Sequence, residues 1–306
     1  MESAFIAWLR DHLPPHPLLR LGPGDDAAVL RLASERDIIL TTDLLTDGVD
    51  FELSACEPSQ IGRKAVAVNL SDLAAMACQP VAIVVSVALP HAGAGLLARS
   101  LYHGILELAQ KFDVAVAGGD TNTWAGGLVI SVTALGQVTP RGPLRRDRGQ
   151  PGDHLLVTGQ FGGSLLGRHF SFTPRVHAAL LLHRQFELHA GIDVSDGLSL
   201  DLSRLAAASG CGAAIALETI PIAPAAVTMA AREADGRTAL DHALSDGEDF
   251  ELILAVPPAD AERMLDRQPL DVPLTRIGRL VEQPGLWQVT ADGSLSPLAA
   301  RGFEHQ

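Results

Sequence analysis

The sequence predicts an α/β protein, of the α+β kind, with two domains and mixed sheets. Three observations predict it. Apolar, β-branched runs alternate with segments of helical period and with strand pairs, so the sheets should hold both parallel and antiparallel neighbours. At 306 residues the chain is long enough to bury more than one core. A break rich in Pro, Gly and Arg, PRGPLRRDRGQPGD from Pro140 to Asp153, separates two such patterns. The expected domains are therefore residues 1–139 and 140–306.

In the first half, Ser3 to His12 reads as a short helix ended by Pro14, Pro15 and Pro17. Val29 to Leu40 reads as two strands joined by a turn at Ser34 to Asp37. Pro58 to Met76 carries Ile61, Ala65, Val68, Leu73 and Met76 at helical spacing. Val81 to Leu89 is a central strand, Ala94 to Phe112 a helix, Val114 to Ala117 a short strand and Leu128 to Gly136 another. The segment between the last two, GGDTNTWAGG, reads as a loop. In the second half, strands are expected at His154 to Gly159, Ala213 to Leu217 and before Val256, with an edge strand at Pro273 to Arg279. Helices are expected near Arg175 to His189, Ala225 to Ala234 and Asp260 to Arg267, and the tail reads as a hairpin and terminal loop.

A formal charge of −13 argues against a nonspecific grip on nucleic acid or on an anionic membrane. It does not exclude phosphate substrates, because a bound cation inverts the local field. The cysteines, Cys56, Cys78 and Cys211, are odd in number and widely spaced, which fits a reducing compartment rather than a disulfide framework. No basic region followed by an apolar run opens the chain, and no apolar run is long enough to span a bilayer; a cytoplasmic location is expected.

The chemistry-bearing residues are mostly aspartates. LGPGDDAAVL and TTDLLTDGVDF flank the expected hairpin, which would bring Asp25 and Asp26 near Asp43. Carboxylates held that close repel one another unless a cation neutralises them, and Mg2+ suits oxygen ligands that share it with phosphates. The alternative for each residue is that Asp and Gly simply make turns here. NLSD, inside an otherwise apolar helix, adds Asp72. GGDTN adds Asp120 beside glycines, and IDVSDGLSLDL adds Asp193 and Asp196, with Ser195 placed to cap the helix that follows. Asp201 reads as a solvated or capping carboxylate, and in GEDFEL one acid should point inward. Arg63, Lys64, Arg145, Arg146 and Arg175 are the cations available to phosphates, with Arg146 favoured by its place at the domain break. There is no P-loop, no GxGxxG, no GxSxG and no HExxH.

Six motifs in order, LGPGDDAAV, TTDLLTDGVDF, GRKAVAVNLSDLAAMACQP, GGDTN, IDVSDGLSLDL and GEDFEL, resemble the thiamine-monophosphate kinase family, in the superfamily of aminoimidazole ribonucleotide synthetase and selenophosphate synthetase. The resemblance runs from about Leu21 to Phe303. It implies the two-domain aminoimidazole ribonucleotide synthetase-like fold, a homodimer formed through N-terminal strands, and transfer of the γ-phosphoryl group of ATP to thiamine monophosphate. Carried over by motif, Asp26, Thr41, Thr42, Asp43, Asp72, Asp120, Asp193 and Asp196 are the expected ligands of several Mg2+ ions. Gly119, Asp120, Arg146 and Ser195 are expected to meet the nucleotide, and Asp50, Glu248 and Phe303 the thiamine end. Asp50 stands where the family usually has His. Direct in-line transfer needs no general base and no catalytic side chain, since the acceptor phosphate is already anionic. The alternatives are a related ATP enzyme with another acceptor and a noncatalytic nucleotide-binding scaffold.

Overall fold

The computed structural model describes residues 19–21, 25, 27–30, 37–232 and 236–304. The expected helix at Ser3 to His12, most of the turn before Asp37 and the site residue Asp26 lie outside them. Two mixed sheets form the frame. The first contains β1 (Leu19–Leu21), β2 (Ala28–Leu30), β3 (Ile38–Thr46), β4 (Gln79–Pro90), β5 (Ala115–Trp124) and β6 (Val129–Gln137), in the order β1-β2-β3-β6-β4-β5. The β4–β5 pair is parallel and the other pairs are antiparallel. β2 and β3 are the two strands of the expected hairpin, with Val29 opposite Ile39.

The second sheet contains β7 (His154–Thr158), β8 (Ala190–Asp193), β9 (Gly212–Ile215), β10 (Leu252–Val256), β11 (Leu274–Val281), β12 (Gly285–Val289) and β13 (Leu295–Pro297). Their order is β13-β12-β9-β11-β7-β10-β8, with β9 and β12 parallel. β11 is thus an interior strand, paired with β7 on one side and β9 on the other, rather than the edge strand expected.

The helix expected at Pro58 to Met76 is α1 (Pro58–Ala75), and it is buried on most of its surface. One side packs on α2 (Ala94–Lys111) and on β3 and β6; another meets the second half through α3 (Arg168–Ser171), α4 (Val176–Gln185) and β8. The approach to α2 is close because both helices carry glycine there. A Cβ on Gly104 would stand 1.8 Å from the Ser59 carbonyl oxygen, and one on Gly62 would stand 2.1 Å from that of Leu101. One apolar cluster consequently runs from Ile39 and Ile83 through Leu70 and Leu73 to Leu182, Leu254 and Met264. A second fills the other face of the second sheet around Leu155, Ile192, Leu202 and Ile253, against α5 (Leu198–Ala208). The remaining α-helices among the described residues are α6 (Pro224–Arg232), α7 (Ala239–Ser245) and α8 (Pro258–Arg267).

GGDTN is not a loop. β4 extends to Pro90 and offers a parallel partner along its length, so the chain stays in β5 through Trp124. Entry to this stretch is bulged between Ile83 and Val84 of β4, and Gly118 opposite takes a φ of +150°. A Cβ on Gly119 would lie 1.8 Å from the Val85 carbonyl oxygen. Only glycine lets the strands pass there.

Candidate active site

Two carboxylates of the expected cage meet on α1. Thr41, on β3, donates its hydroxyl to Asp72 Oδ2 at 2.5 Å, and Ser71 donates to Asp193 Oδ2 at 2.5 Å. Asp193 ends β8 and is buried, so adjacent residues of one helix join strands from both sheets. Asp43 shares the Thr41 face of β3, two residues on. Thr42 does not: its side chain lies on the opposite face, with the Thr133 hydroxyl at 3.1 Å and the Ser131 hydroxyl at 3.5 Å.

The same period-two logic separates Asp120 from the cage. Asp120 is in register with Ser86, which pairs with Ser131, which pairs with Leu44. That row is the outer face of the sheet, opposite to Thr41, and Asp120 is exposed there, with Oδ1 accepting the Thr121 N–H at 2.9 Å. Gly119 sits in the Asp43 row, on the edge strand three positions across the sheet. Thr41, Asp43 and Asp72 thus lie on the inner side of the first sheet and Asp193 reaches the same helix through Ser71, while Thr42 and Asp120 lie on the other side of the sheet.

Arg146, at the start of a 3-10 turn, faces Asp25: its N–H donates to Oδ2 at 3.2 Å and its guanidinium forms an ion pair at 3.4 Å. The segment after β8 is organised by Asp201. This residue is 1% exposed, and its Oδ2 accepts the N–H groups of Asp196 at 2.9 Å and Gly197 at 3.1 Å. Capping of α5 therefore falls to Asp201 from inside the helix, not to Ser195, because Gly197 holds the N-cap position. Arg204 bridges Asp201 and Asp196. The Asp196 carbonyl accepts the N–H of Phe303 at 2.8 Å, which brings the half-exposed C-terminal aromatic to this corner.

Glu248 completes the corner. Its N–H donates to the Ser195 carbonyl at 2.6 Å, and Ser164 donates to its carbonyl at 2.6 Å. These bonds hold Glu248 at a φ of +54° and Phe250 follows at +50°, a left-handed pair that non-glycine residues rarely adopt. Along GEDFEL two acids, not one, point inward. Asp249 accepts the Gly162 N–H at 3.0 Å and an ion pair from Arg168 at 2.5 Å; Glu251 takes both guanidinium arms of Arg175, at 2.7 and 2.5 Å. Burial pushes the Asp249 carboxyl up to about 7 against the pull of Arg168 and Gly162. The N–H groups of Gly162 and Gly163, in the GQFGG turn that follows β7, go to Asp249 and Asp246, so that turn spends these donors internally rather than on a phosphate.

Of the expected phosphate-binding cations, Arg63 and Lys64 turn out to be internal, as Arg175 is on Glu251. Arg63 donates to the carbonyls of Phe170, Ser171 and Phe172. Lys64 is fully buried, with Nζ at 2.7 Å from both Glu248 oxygens and from the Asp50 carbonyl. His169 Nδ1 lies 2.8 Å from Glu248 Oε2. Burial raises the Glu248 carboxyl, but the His169 hydrogen bond and the Lys64 charge outweigh it and hold the group below the ordinary glutamate range. Asp50 folds back on its own turn, its carboxylate accepting the Thr46 N–H at 2.7 Å. The sequence did carry one signal for Lys64: it falls on the apolar stripe of α1, one position before Ala65, where a cation must find a buried anion. Nothing local names that anion.

The chain was compared with known proteins. Residues 24–138 match the family model for the AIR synthase related protein N-terminal domain, and residues 153–287 match that for the C-terminal domain. A thiamine-monophosphate kinase of Rhodopirellula baltica is 46% identical over 312 residues, covering 100% of this chain and 97% of the relative. The chain belongs to the thiamine-monophosphate kinase family. Solved structures of the family superpose over nearly the full length. AaThiL complexed with AMPPCP and TMP is 25% identical, with a TM-score of 0.84, and covers 100% of this chain and 97% of that one. Thiamine-monophosphate kinase from Stenotrophomonas maltophilia K279a is 35% identical, with a TM-score of 0.73 and 96% of each chain covered. The two-domain, mixed-sheet family fold is the one described above. No helix among the described residues is long and apolar enough to cross a membrane.

Proposed function

We propose that this chain transfers the γ-phosphoryl group of ATP to the phosphate of thiamine monophosphate, giving thiamine diphosphate. The observation that carries the reading is the full-length likeness to a structure holding AMPPCP and TMP together, within a family to which the chain is 46% identical in one member. The division of labour follows residues 1–139 and 140–306, with the acceptor and nucleotide meeting where α1 touches β8 and Glu248.

Mg2+ fits the donor set, which is all hard oxygen: Asp43, Asp72 and Asp193 with the Thr41 hydroxyl beside them, and Asp196 at the edge. No three acidic or imidazole groups among the described residues already close on one point, and Asp26, expected to join them, lies outside those residues. Bound there, the ion supplies the charge that lets two anionic phosphates approach in line. The chain's own part is positional. Ser71 and Thr41 orient Asp193 and Asp72, and the Asp201 cap fixes the turn carrying Ser195 and Asp196. We assign Ser195, Gly119 and Arg146 to the nucleotide, and Glu248 and Phe303 to the thiamine end; Asp120, on the outer face, lies across the sheet from Asp43 and Asp72. Asp50 shapes the loop beside Glu248. No side chain is placed as a covalent nucleophile, and transfer is direct.

We also propose a homodimer. The outer face of the first sheet exposes Leu44, Val81 and Val84, and β5 has no strand on its outer edge among the described residues. A second copy would cover this face, and with it Thr42 and Asp120. The primary test is an assay with ATP, Mg2+ and thiamine monophosphate in which ADP and thiamine diphosphate are followed together. Stoichiometric formation of both, lost in Asp43→Asn by at least about a hundredfold, is the expected result. ADP without thiamine diphosphate would point to another acceptor.

A further inference from the structure

We propose that Lys64 is a positioning residue for the acceptor substrate, acting across the domain junction through Glu248. The inference rests on the functional reading above and deepens it.

Lys64 is 0% exposed, so it touches no substrate itself. Its three ammonium donors have defined acceptors, the two Glu248 carboxylate oxygens and the Asp50 carbonyl, each at 2.7 Å, and His169, which donates to Glu248, has its Nδ1 3.1 Å away. The Phe170 ring lies 5.5 Å from Nζ and closes another side. Glu248, by contrast, keeps 23% of its side chain open. Because both carboxylate oxygens accept from one buried Nζ and Oε2 also meets His169, the orientation of the partly exposed carboxylate is set.

The arrangement is costly for a mere fastening between domains. Removing an ammonium and a carboxylate from water is repaid poorly, and an apolar pair of the same volume often holds a junction better. The Glu248 backbone is also held at a φ of +54° by bonds from both sides. A strained backbone and an oriented carboxylate on the open side of a buried cation make a preorganised acceptor, which is what a site needs to fix a substrate group that donates N–H. The amine-bearing ring of thiamine monophosphate is such a group. His169 and Lys64 are the charged or titratable groups in contact with the Glu248 carboxylate, from α3 and α1.

The test is steady-state kinetics of the wild-type chain, Lys64→Met, Glu248→Gln and the double variant, with melting temperature as a fold control. Lys64→Met should raise KM for thiamine monophosphate by about tenfold, the scale of one charge-assisted hydrogen bond. KM for ATP should stay unchanged, which a general loosening of the junction would not allow. The two substitutions should be non-additive, the double variant being no worse than the poorer single one. Should Lys64→Met fail to fold because it strands a buried carboxylate, the double variant removes both charges, and its KM for thiamine monophosphate matching that of Glu248→Gln supports the proposal. Unchanged KM for thiamine monophosphate in Lys64→Met, equal rises for both substrates, or a double variant worse than the poorer single one overturns it, as does, where Lys64→Met does not fold, a double variant worse than Glu248→Gln. No thiamine diphosphate from the wild-type chain would overturn the functional reading, and this inference with it.

Discussion

Single residues in this chain are decided by what lies behind them. Asp201 shows how: its spacing in IDVSDGLSLDL is compatible with solvation or capping, and only its burial beneath the turn, with two N–H groups and Arg204 converging on it, selects capping. His183, near the end of α4, makes a measurable case. It is buried, its own carbonyl and that of Phe186 accept from Arg141 of the interdomain segment, and burial followed by the Arg141 charge pushes its pKa down to about 4. The unfolded chain takes up that proton near pH 6.5 while the folded chain resists. The contribution is therefore fully present above pH 6.5 and lost as the pH falls towards 4. At 1.36 kcal/mol per unit the loss approaches about 3 kcal/mol. Denaturant titrations across this window should show it, and His183→Gln should flatten the slope.

Elements were the most legible level. α1, α2, β4, β6, β7 and β10 lie where period and turn chemistry place them, because each carries a long apolar stripe or a continuous β-branched run, whereas β3 runs past its expected end at Leu40 as far as Thr46. α7 went unseen, since Ala239–Ser245 has too few residues to display a helical period. β5 was cut short because glycine and small polar residues have weak strand preference; the partner β4 overrides it. Glycine at Gly104 matters for the helix pair rather than for a turn. Gly104→Ala pushes a methyl group into the Ser59 carbonyl and should force α1 and α2 apart, lowering stability by about 1–3 kcal/mol in chemical denaturation. Since α1 carries Lys64, Ser71 and Asp72, the same variant should lose activity at temperatures where it remains folded.

At the scale of the whole molecule, two sheets share one apolar cluster through α1, and the acidic residues gather where that helix passes between them. The outer face of the first sheet stays exposed among the described residues. Leu44 is 60% exposed, Val81 46% and Val84 38%, on the face opposite to the buried Ile39, Ile83 and Val85. If a second copy covers that face, Val84→Lys should convert the dimer to monomer in sedimentation, by burying an unpaired charge at each interface. A wild-type chain that sediments as a monomer at micromolar concentration would refute the dimer.

The amino-acid sequence by itself determined the class of chemistry and the family: six motifs in order, aspartates without a histidine or thiol nucleophile, and elements whose periods mark one buried face each. Only the tertiary structure decided which of those aspartates share a space. Thr41 and Thr42 are neighbours in sequence and lie on opposite sides of a sheet; Asp120 stands on the outer face; Lys64 finds its anion 184 residues away. Local periodicity reports the face a residue occupies on its own strand or helix. It carries no information about what the other sheet brings to that face, because that depends on how two separately formed layers dock.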